Sequence, residues 1–348
     1  MDIGKIDENL RVSREFHKPD AVYRDCREEP FSVHGLQWED GFYRVPHEVA
    51  KETSEGVEIL AKHTAGGRIR FRTDSSYVVL SCQMPSITRF PHMPLFGTTG
   101  FDLYADGLFF GTFCMPVELK SGYDAVLELG ESKLRDIEIG FPLYNMVTSV
   151  KIGLEESAQL LPPKQYAVEK PVVYYGSSIT QGGCVSRPGL SYPSLISTAL
   201  NIDYINLGFS GSAKGETAMA EFIAGLDQSL FVMDYDHNAP SVEHLEQTHE
   251  PFFRIVREKN PHLPVLFVSM PDIRYNPIAP GKREVIRKTY ENAKKAGDNK
   301  VWFIDGETLW GEEHWDACTM DKCHPNDLGH FRMAQVIGTM VKEILFDK

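Results

Sequence analysis

A chain of 348 residues holds one large domain or two ordinary ones, and 42% hydrophobic with 24% charged residues is the composition of a globular protein rather than a disordered one. With 36 basic against 49 acidic residues the formal charge is −13, which excludes the cationic footprint that a nucleic-acid backbone requires and offers nothing to an anionic membrane surface. No apolar run approaches the ~18 residues needed to cross a bilayer.

Residues 1–30 are polar, with no sustained period, and read as an N-terminal arm or lead-in strand. From Phe31 to residue 158, short alternating runs separated by turn signals predict a β-sandwich domain. Arg68-Ile69-Arg70-Phe71-Arg72 alternates charged and apolar side chains, as a strand with one wet face does. Tyr77–Ser81, Ala125–Leu129, Asp136–Ile139 and Val147–Leu154 are similar runs, and the Asp106-Gly107 pair inside Leu103–Phe109 predicts a tight hairpin. No stretch in this half carries a sustained helical period. The loop Met84–Gly100, broken by Pro85, Pro91, Pro94 and Gly97, is long and irregular, which makes it a candidate contributor to a site.

Residues 159–170, with Pro162-Pro163, predict a linker, and residues 171–348 a second domain. Here the pattern changes. Val172–Tyr175, Tyr204–Leu207, Leu230–Met233, Val265–Met270 and Val301–Ile304 are short and almost wholly apolar, as strands buried on both faces of a parallel sheet are. Between them Ala218, Phe222 and Leu226, and then Val285, Ile286, Thr289 and Tyr290, recur at helical spacing; Val336, Met340 and Ile344 mark a stripe on a last helix. Strands alternating with helices predict a doubly wound α/β domain of three layers.

Groups able to do chemistry collect at the ends of these strands. Ser178, in Gly176-Ser177-Ser178-Ile179-Thr180, follows the first strand, on the sheet edge where open α/β folds bind ligands. Thr180 stands where a G-x-S-x-G elbow has its second glycine, so this is not the α/β-hydrolase turn. A serine hydroxyl needs a base and oxyanion donors. His324 follows the last strand, and Asp321, three residues earlier, is placed to turn back onto its Nδ1. Asn206-Leu207-Gly208-Phe209-Ser210-Gly211 follows the second strand with glycines that let a backbone approach a ligand, and Asn238 follows the third with a side-chain amide.

These four blocks resemble those of the SGNH (GDSL-type) hydrolases, and the match runs over nearly all of residues 170–348 in the family's order. The resemblance implies a flavodoxin-like three-layer domain with a parallel sheet, Ser178 as nucleophile, His324 as base and Asp321 as its orienting partner. It also implies an oxyanion hole from the N–H groups of Ser178 and Gly211 and the amide of Asn238. Two departures bear on the subfamily: Ser177 replaces the usual Asp, and Asp236 replaces the glycine before Asn238. Upstream, Gly100-Phe101-Asp102-Leu103-Tyr104 resembles the GxDLY signature of the jelly-roll-like β domain attached to some bacterial SGNH-type esterases.

The expected reaction is hydrolysis of a short-chain acyl ester, acetyl foremost, on a carbohydrate, the partner being a small-molecule or oligosaccharide ester. The runner-up is a general short-chain carboxylester or thioester hydrolase. A carbohydrate-binding protein with a degenerate hydrolase domain is the rival from another class, and the intact Ser178, Asp321 and His324 argue against it. Neither cofactor nor metal is expected: His314, Asp316, Cys318, Asp321, Cys323 and His324 lie close in sequence, but at no common zinc spacing. Cys323 reads as a packing residue, and Trp310 and Trp315 as core or as a sugar-stacking wall. The six cysteines are scattered without a CxxC pair, and no basic segment leads into an apolar one at the amino terminus, so the sequence reads as cytoplasmic, or as secreted or periplasmic if a leader has been removed. A homo-oligomer is left open.

Overall fold

The computed structural model describes residues 18–271 and 274–347; the first 17 residues of the expected arm lie outside the described residues. The remainder of that stretch contributes one strand to a sheet. Ala21–Asp25 is the edge strand of a four-stranded antiparallel sheet, followed in order by Ser149–Glu155, Tyr77–Gln83 and Gly122–Glu128. A second sheet runs Leu160–Leu161, Arg68–Thr73, Arg135–Gly140, Asp102–Ala105 and Leu108–Thr112, with Ser32–His34 also paired to Arg68–Thr73. Leu160–Leu161 falls inside the expected linker, so the chain is still paired to the sandwich at the third residue of it.

Alternation explains why the sheets stack. Ile69, Phe71, Leu103, Ile137 and Ile139 of one meet Val78, Leu80, Val150 and Ile152 of the other in a single buried cluster. The hairpin forms where expected, with Asp106 and Gly107 both in the left-handed region at φ 51° and 79°.

Two expectations for this half need correction. The Arg68–Arg72 strand has no wet face over most of its length. Arg68 is buried, with its guanidinium on Asp203 and the Tyr204 carbonyl, and Arg70 is buried beside Asp136 and Glu138. The half also contains helices, His47–Thr53, Glu55–Leu60 and Leu95–Thr99. Each is too short to show a period; Glu55–Leu60 is started by the Ser54 side chain, which accepts from Val57 N at 3.2 Å.

The second half is a five-stranded parallel sheet in the order Tyr204–Gly208, Val172–Gly176, Leu230–Asp234, Val265–Val268, Val301–Ile304. This is the flavodoxin-like order, and its switch point lies at the carboxyl end of Val172–Gly176. Helices Thr217–Gly225, Val242–Lys259 and Ala279–Lys295 pack on one face; Tyr192–Leu200 and Asp327–Phe346 pack on the other. The buried stripe of the last helix is Met333, Ile337 and Val341, one position along from the predicted one, with Val336, Met340 and Ile344 flanking it. In Thr217–Gly225 the buried face is Met219, Ala220, Ile223 and Ala224, with Phe222 at its margin.

The halves are joined by more than the linker. Val45, Ala50, Val57 and Ala61 belong to the same buried cluster as the parallel strands. Arg44, fully buried, donates to the carbonyls of Gly208 and Leu60 and lies over the Phe209 ring. The GxDLY segment forms a clasp. Phe101 and Leu103 enter the sandwich core, while buried Asp102 accepts from Arg187 Nη1 and from Gly189 N, both at 2.8 Å, and Arg187 also donates to Tyr104 Oη at 2.7 Å.

Candidate active site

Ser178 opens a single helical turn, Ser178–Gln181, directly beyond the strand Val172–Gly176. Ser177, at the family's Asp position, caps this turn: its Oγ accepts from Ile179 N at 3.1 Å. Gly182, at φ 105°, ends the turn in a conformation that a side chain would resist. Gly183 N and Tyr144 Oη both donate to the Ser178 carbonyl, at 2.7 and 3.2 Å; Tyr144 comes from the sandwich half.

Thr180 explains why this is not a glycine elbow. Its hydroxyl, with that of Tyr192, donates to Asp234 Oδ2 at 3.1 and 2.9 Å beneath the turn. Burial, with the nearby charge of Asp236, pushes the Asp234 carboxyl up to about 8. His330, buried and held down to about 4 by desolvation, is a neutral brace: Nδ1 accepts from Tyr192 N at 3.2 Å, leaving Nε2 to donate to Gly183 O at 3.1 Å. Neither Asp234 nor His330 stands out in the sequence; a buried polar residue beneath a turn has no local signature.

His324 reaches Ser178 from the loop before the last helix. Its Nε2 lies 2.9 Å from Ser178 Oγ and its Nδ1 lies 2.8 Å from Asp321 Oδ2. The loop shapes itself. Asp321 Oδ1 accepts from His324 N at 2.7 Å and Cys323 N at 3.0 Å, Lys322 takes φ 71°, and Thr319 pairs across to Pro325. Burial raises the Asp321 carboxyl, but its hydrogen bonds to the His324 ring and backbone outweigh that and hold it below the usual range. Burial likewise opposes a charged His324, yet the hydrogen bond and charge of Cys323, then those of Asp321, hold the imidazole above its ordinary value.

The other two candidates lie on loops tied to the serine turn and to each other. Gly211, at φ 67°, sits in a loop pinned by Gln181 Oε1, which accepts from Ser210 N at 3.0 Å, and by Asn206, whose Nδ2 donates to Thr180 O at 2.7 Å. Asn238 ends the short turn Asp236–Asn238 and donates one amide hydrogen to Phe209 O at 2.9 Å, which links the third block to the second. A side-chain amide has two donors, so one is left for another acceptor. Asp236 is structural: Oδ2 accepts from Met270 N at 3.1 Å and its carbonyl from Lys282 Nζ at 2.9 Å.

Three further groups that the sequence singled out are placed by the structure. Cys323 is no mere packing residue: Sγ is 3.1 Å from His237 Nε2, and the hydrogen bonds from His237 and His324 overcome burial to bring the thiol down to about 7. The Met84–Gly100 loop does reach this site, since the His92 ring centroid lies 5.7 Å from that of His324. Trp310 is core; Trp315 packs on Tyr275 and Arg274.

The model of the GDSL-like lipase/acylhydrolase family matches residues 169–342, half of the chain. The chain belongs to that family. Its first half matches the GxDLY N-terminus of SGNH-type esterases over residues 21–160. This GDSL-family protein is thus an ester hydrolase in which a parallel α/β sheet follows an antiparallel sandwich. Among solved structures, a candidate GDSL-like lipase from Bacteroides ovatus is 27% identical with a TM-score of 0.83, over 93% of this chain and 98% of its own. A salicylyl-acyltransferase from a tetracycline biosynthetic pathway is 22% identical with a TM-score of 0.79, over 94% and 100%. An acetyl xylan esterase from the rumen bacterium Butyrivibrio proteoclasticus shares the fold at 14% identity, with a TM-score of 0.56 over 93% and 98%. No protein with a curated functional description matches the sequence.

Proposed function

We propose that the protein is a serine esterase that removes a short acyl group, acetyl foremost, from a carbohydrate through an acyl-enzyme intermediate. The observation that carries this reading is the continuous chain from Ser178 Oγ through His324 to Asp321, with contacts of 2.9 and 2.8 Å. His324 Nε2 takes the Ser178 proton as Oγ attacks the ester carbonyl. Asp321 holds the tautomer and offsets the charge that forms on the ring. The N–H groups of Ser178 and Gly211 and the second amide hydrogen of Asn238 receive the oxyanion. The alcohol leaves with the proton from His324, and water, deprotonated by the same nitrogen, releases the acid and restores Ser178.

The carbohydrate part of the reading is supported by layout: an acetyl xylan esterase and a family two carbohydrate esterase from Cellvibrio japonicus align over nearly their whole length with this chain. Ser178→Ala is expected to reduce p-nitrophenyl acetate hydrolysis to background and to abolish labelling by a fluorophosphonate. Full activity in that variant would end the proposal. Acetate release across a panel of acetylated oligosaccharides, simple esters and thioesters separates the sugar substrate from general short-chain hydrolysis.

A further inference from the structure

The sandwich loop and the hydrolase half bring together metal-ligating side chains beside the Ser178–His324 pair. One ligand atom from each of His92, Cys184, Asp321 and His324 lies within 4.8 Å of the other three. They come from the Met84–Gly100 loop, from the turn that follows Ser178, and from the Thr319–Pro325 loop, so no spacing in the sequence announces the group. Of the acidic, histidine and cysteine residues clustered at 314–324, only Asp321 and His324 belong to it.

Two imidazoles, a thiolate and a carboxylate form a borderline-soft donor set, and its two negative charges match a divalent ion. A tetrahedral zinc with ligands at its usual bond lengths spaces them roughly 3.3–3.8 Å apart. The group therefore has to close by about 1 Å. Cys184 is buried and fixed, whereas His92 is half-buried and Asp321 exposed on loops that can supply the movement.

We propose that these four residues form an inhibitory Zn²⁺ site. Four protein ligands fill the coordination sphere, where a catalytic zinc keeps a position open for water. A neutral imidazole has one lone pair on nitrogen. Once His324 gives it to zinc, it cannot accept the Ser178 proton, and Asp321 is drawn from its ring. The Cys184 thiol releases its proton to solvent as the Zn–S bond forms. The inhibition rests on His324 being the base; the binding does not.

The test uses the full chain stripped with EDTA and titrated with ZnCl₂, followed by competition with a chromogenic chelator and by p-nitrophenyl acetate hydrolysis. One Zn²⁺ per chain is expected, with inhibition tracking occupancy and reversed by EDTA. His92→Ala is expected to keep the zinc-free rate within about 2-fold and to weaken zinc binding and inhibition by at least about 10-fold, and Cys184→Ser to weaken binding likewise. Cys323→Ser, which removes the neighbouring thiol beside His237, is expected to retain stoichiometric zinc binding. Ser178→Ala is expected to bind zinc undiminished, so binding by an inactive protein separates the fate of this site from that of the esterase reading. Absence of stoichiometric zinc, unchanged zinc affinity in His92→Ala, or loss of binding in Cys323→Ser would overturn the assignment.

Discussion

The turn bearing Ser178 and the turn bearing His324 touch side chain to side chain, yet they are held by different kinds of contact. The serine turn is buried and fixed from outside itself: Tyr144 reaches in from the sandwich, Asp234 and Tyr192 sit below, and His330 comes from the last helix. The histidine turn is more open, with side-chain exposures of 20% for His324 and 35% for Asp321, and it is closed by bonds among its own residues. A serine fixed by the whole molecule and a histidine fixed by seven consecutive residues, 319–325, divide positional accuracy between global packing and local turn chemistry.

The largest expected effect comes from removing the proposed base. His324→Ala is expected to lower kcat by roughly 10⁶-fold while leaving Tm almost unchanged, which steady-state kinetics and a thermal melt on one sample will check. Asp321→Asn keeps an acceptor for the backbone N–H groups but presents the wrong group to the ring, and a loss of about 10⁴-fold in kcat is expected, again without a fall in stability. A large drop in Tm in either variant would break the contrast.

The opposite pattern is expected across the clasp. Asp102→Ala strands Arg187 and Gly189 N beneath the sandwich, and breaking a buried pair costs about 3–5 kcal/mol, read from urea unfolding. Activity measured well below the melting temperature is expected to change far less.

The smallest effect concerns pH. His324 is held above its ordinary value, so on the proposed mechanism kcat/KM is expected to fall as pH drops through that raised value and the imidazole becomes protonated. The same shift favours the folded state while the imidazole is charged in both states, and that contribution is lost as pH rises through the folded value. Cys323 supplies much of the shift. With EDTA present, Cys323→Ser is expected to move the acid limb of the kcat/KM profile to lower pH.

What the sequence showed, and what it hid, follows from the range of the forces involved. The parallel strands were legible because burial on both faces leaves continuous apolar runs such as Val172–Tyr175. The Asp321–His324 pair was legible because a turn of four residues makes its own contacts. Arg68 and Arg70 misled because alternating charge signifies a wet face only where nothing else covers it: Asp203 of the other half covers Arg68, and Asp136, Glu138 and the Tyr166 ring cover Arg70. The helices at 47–60 are two turns or fewer, below the length at which a period can show. His92 gave no signal, since its place beside His324 depends on how the halves dock.

The shared cluster around Val45, Ala50, Val57 and Ala61 has a consequence for modularity. Sequence models divide this chain into two transferable pieces, but severing it near the linker would leave the hydrolase piece with an uncovered apolar surface and would deprive Gly208 O of the Arg44 guanidinium. The unit that covers its own apolar surface is therefore the pair. A swap that imports a foreign sandwich must bring its own helix pair and arginines, or the hydrolase will lose the neighbour that completes it.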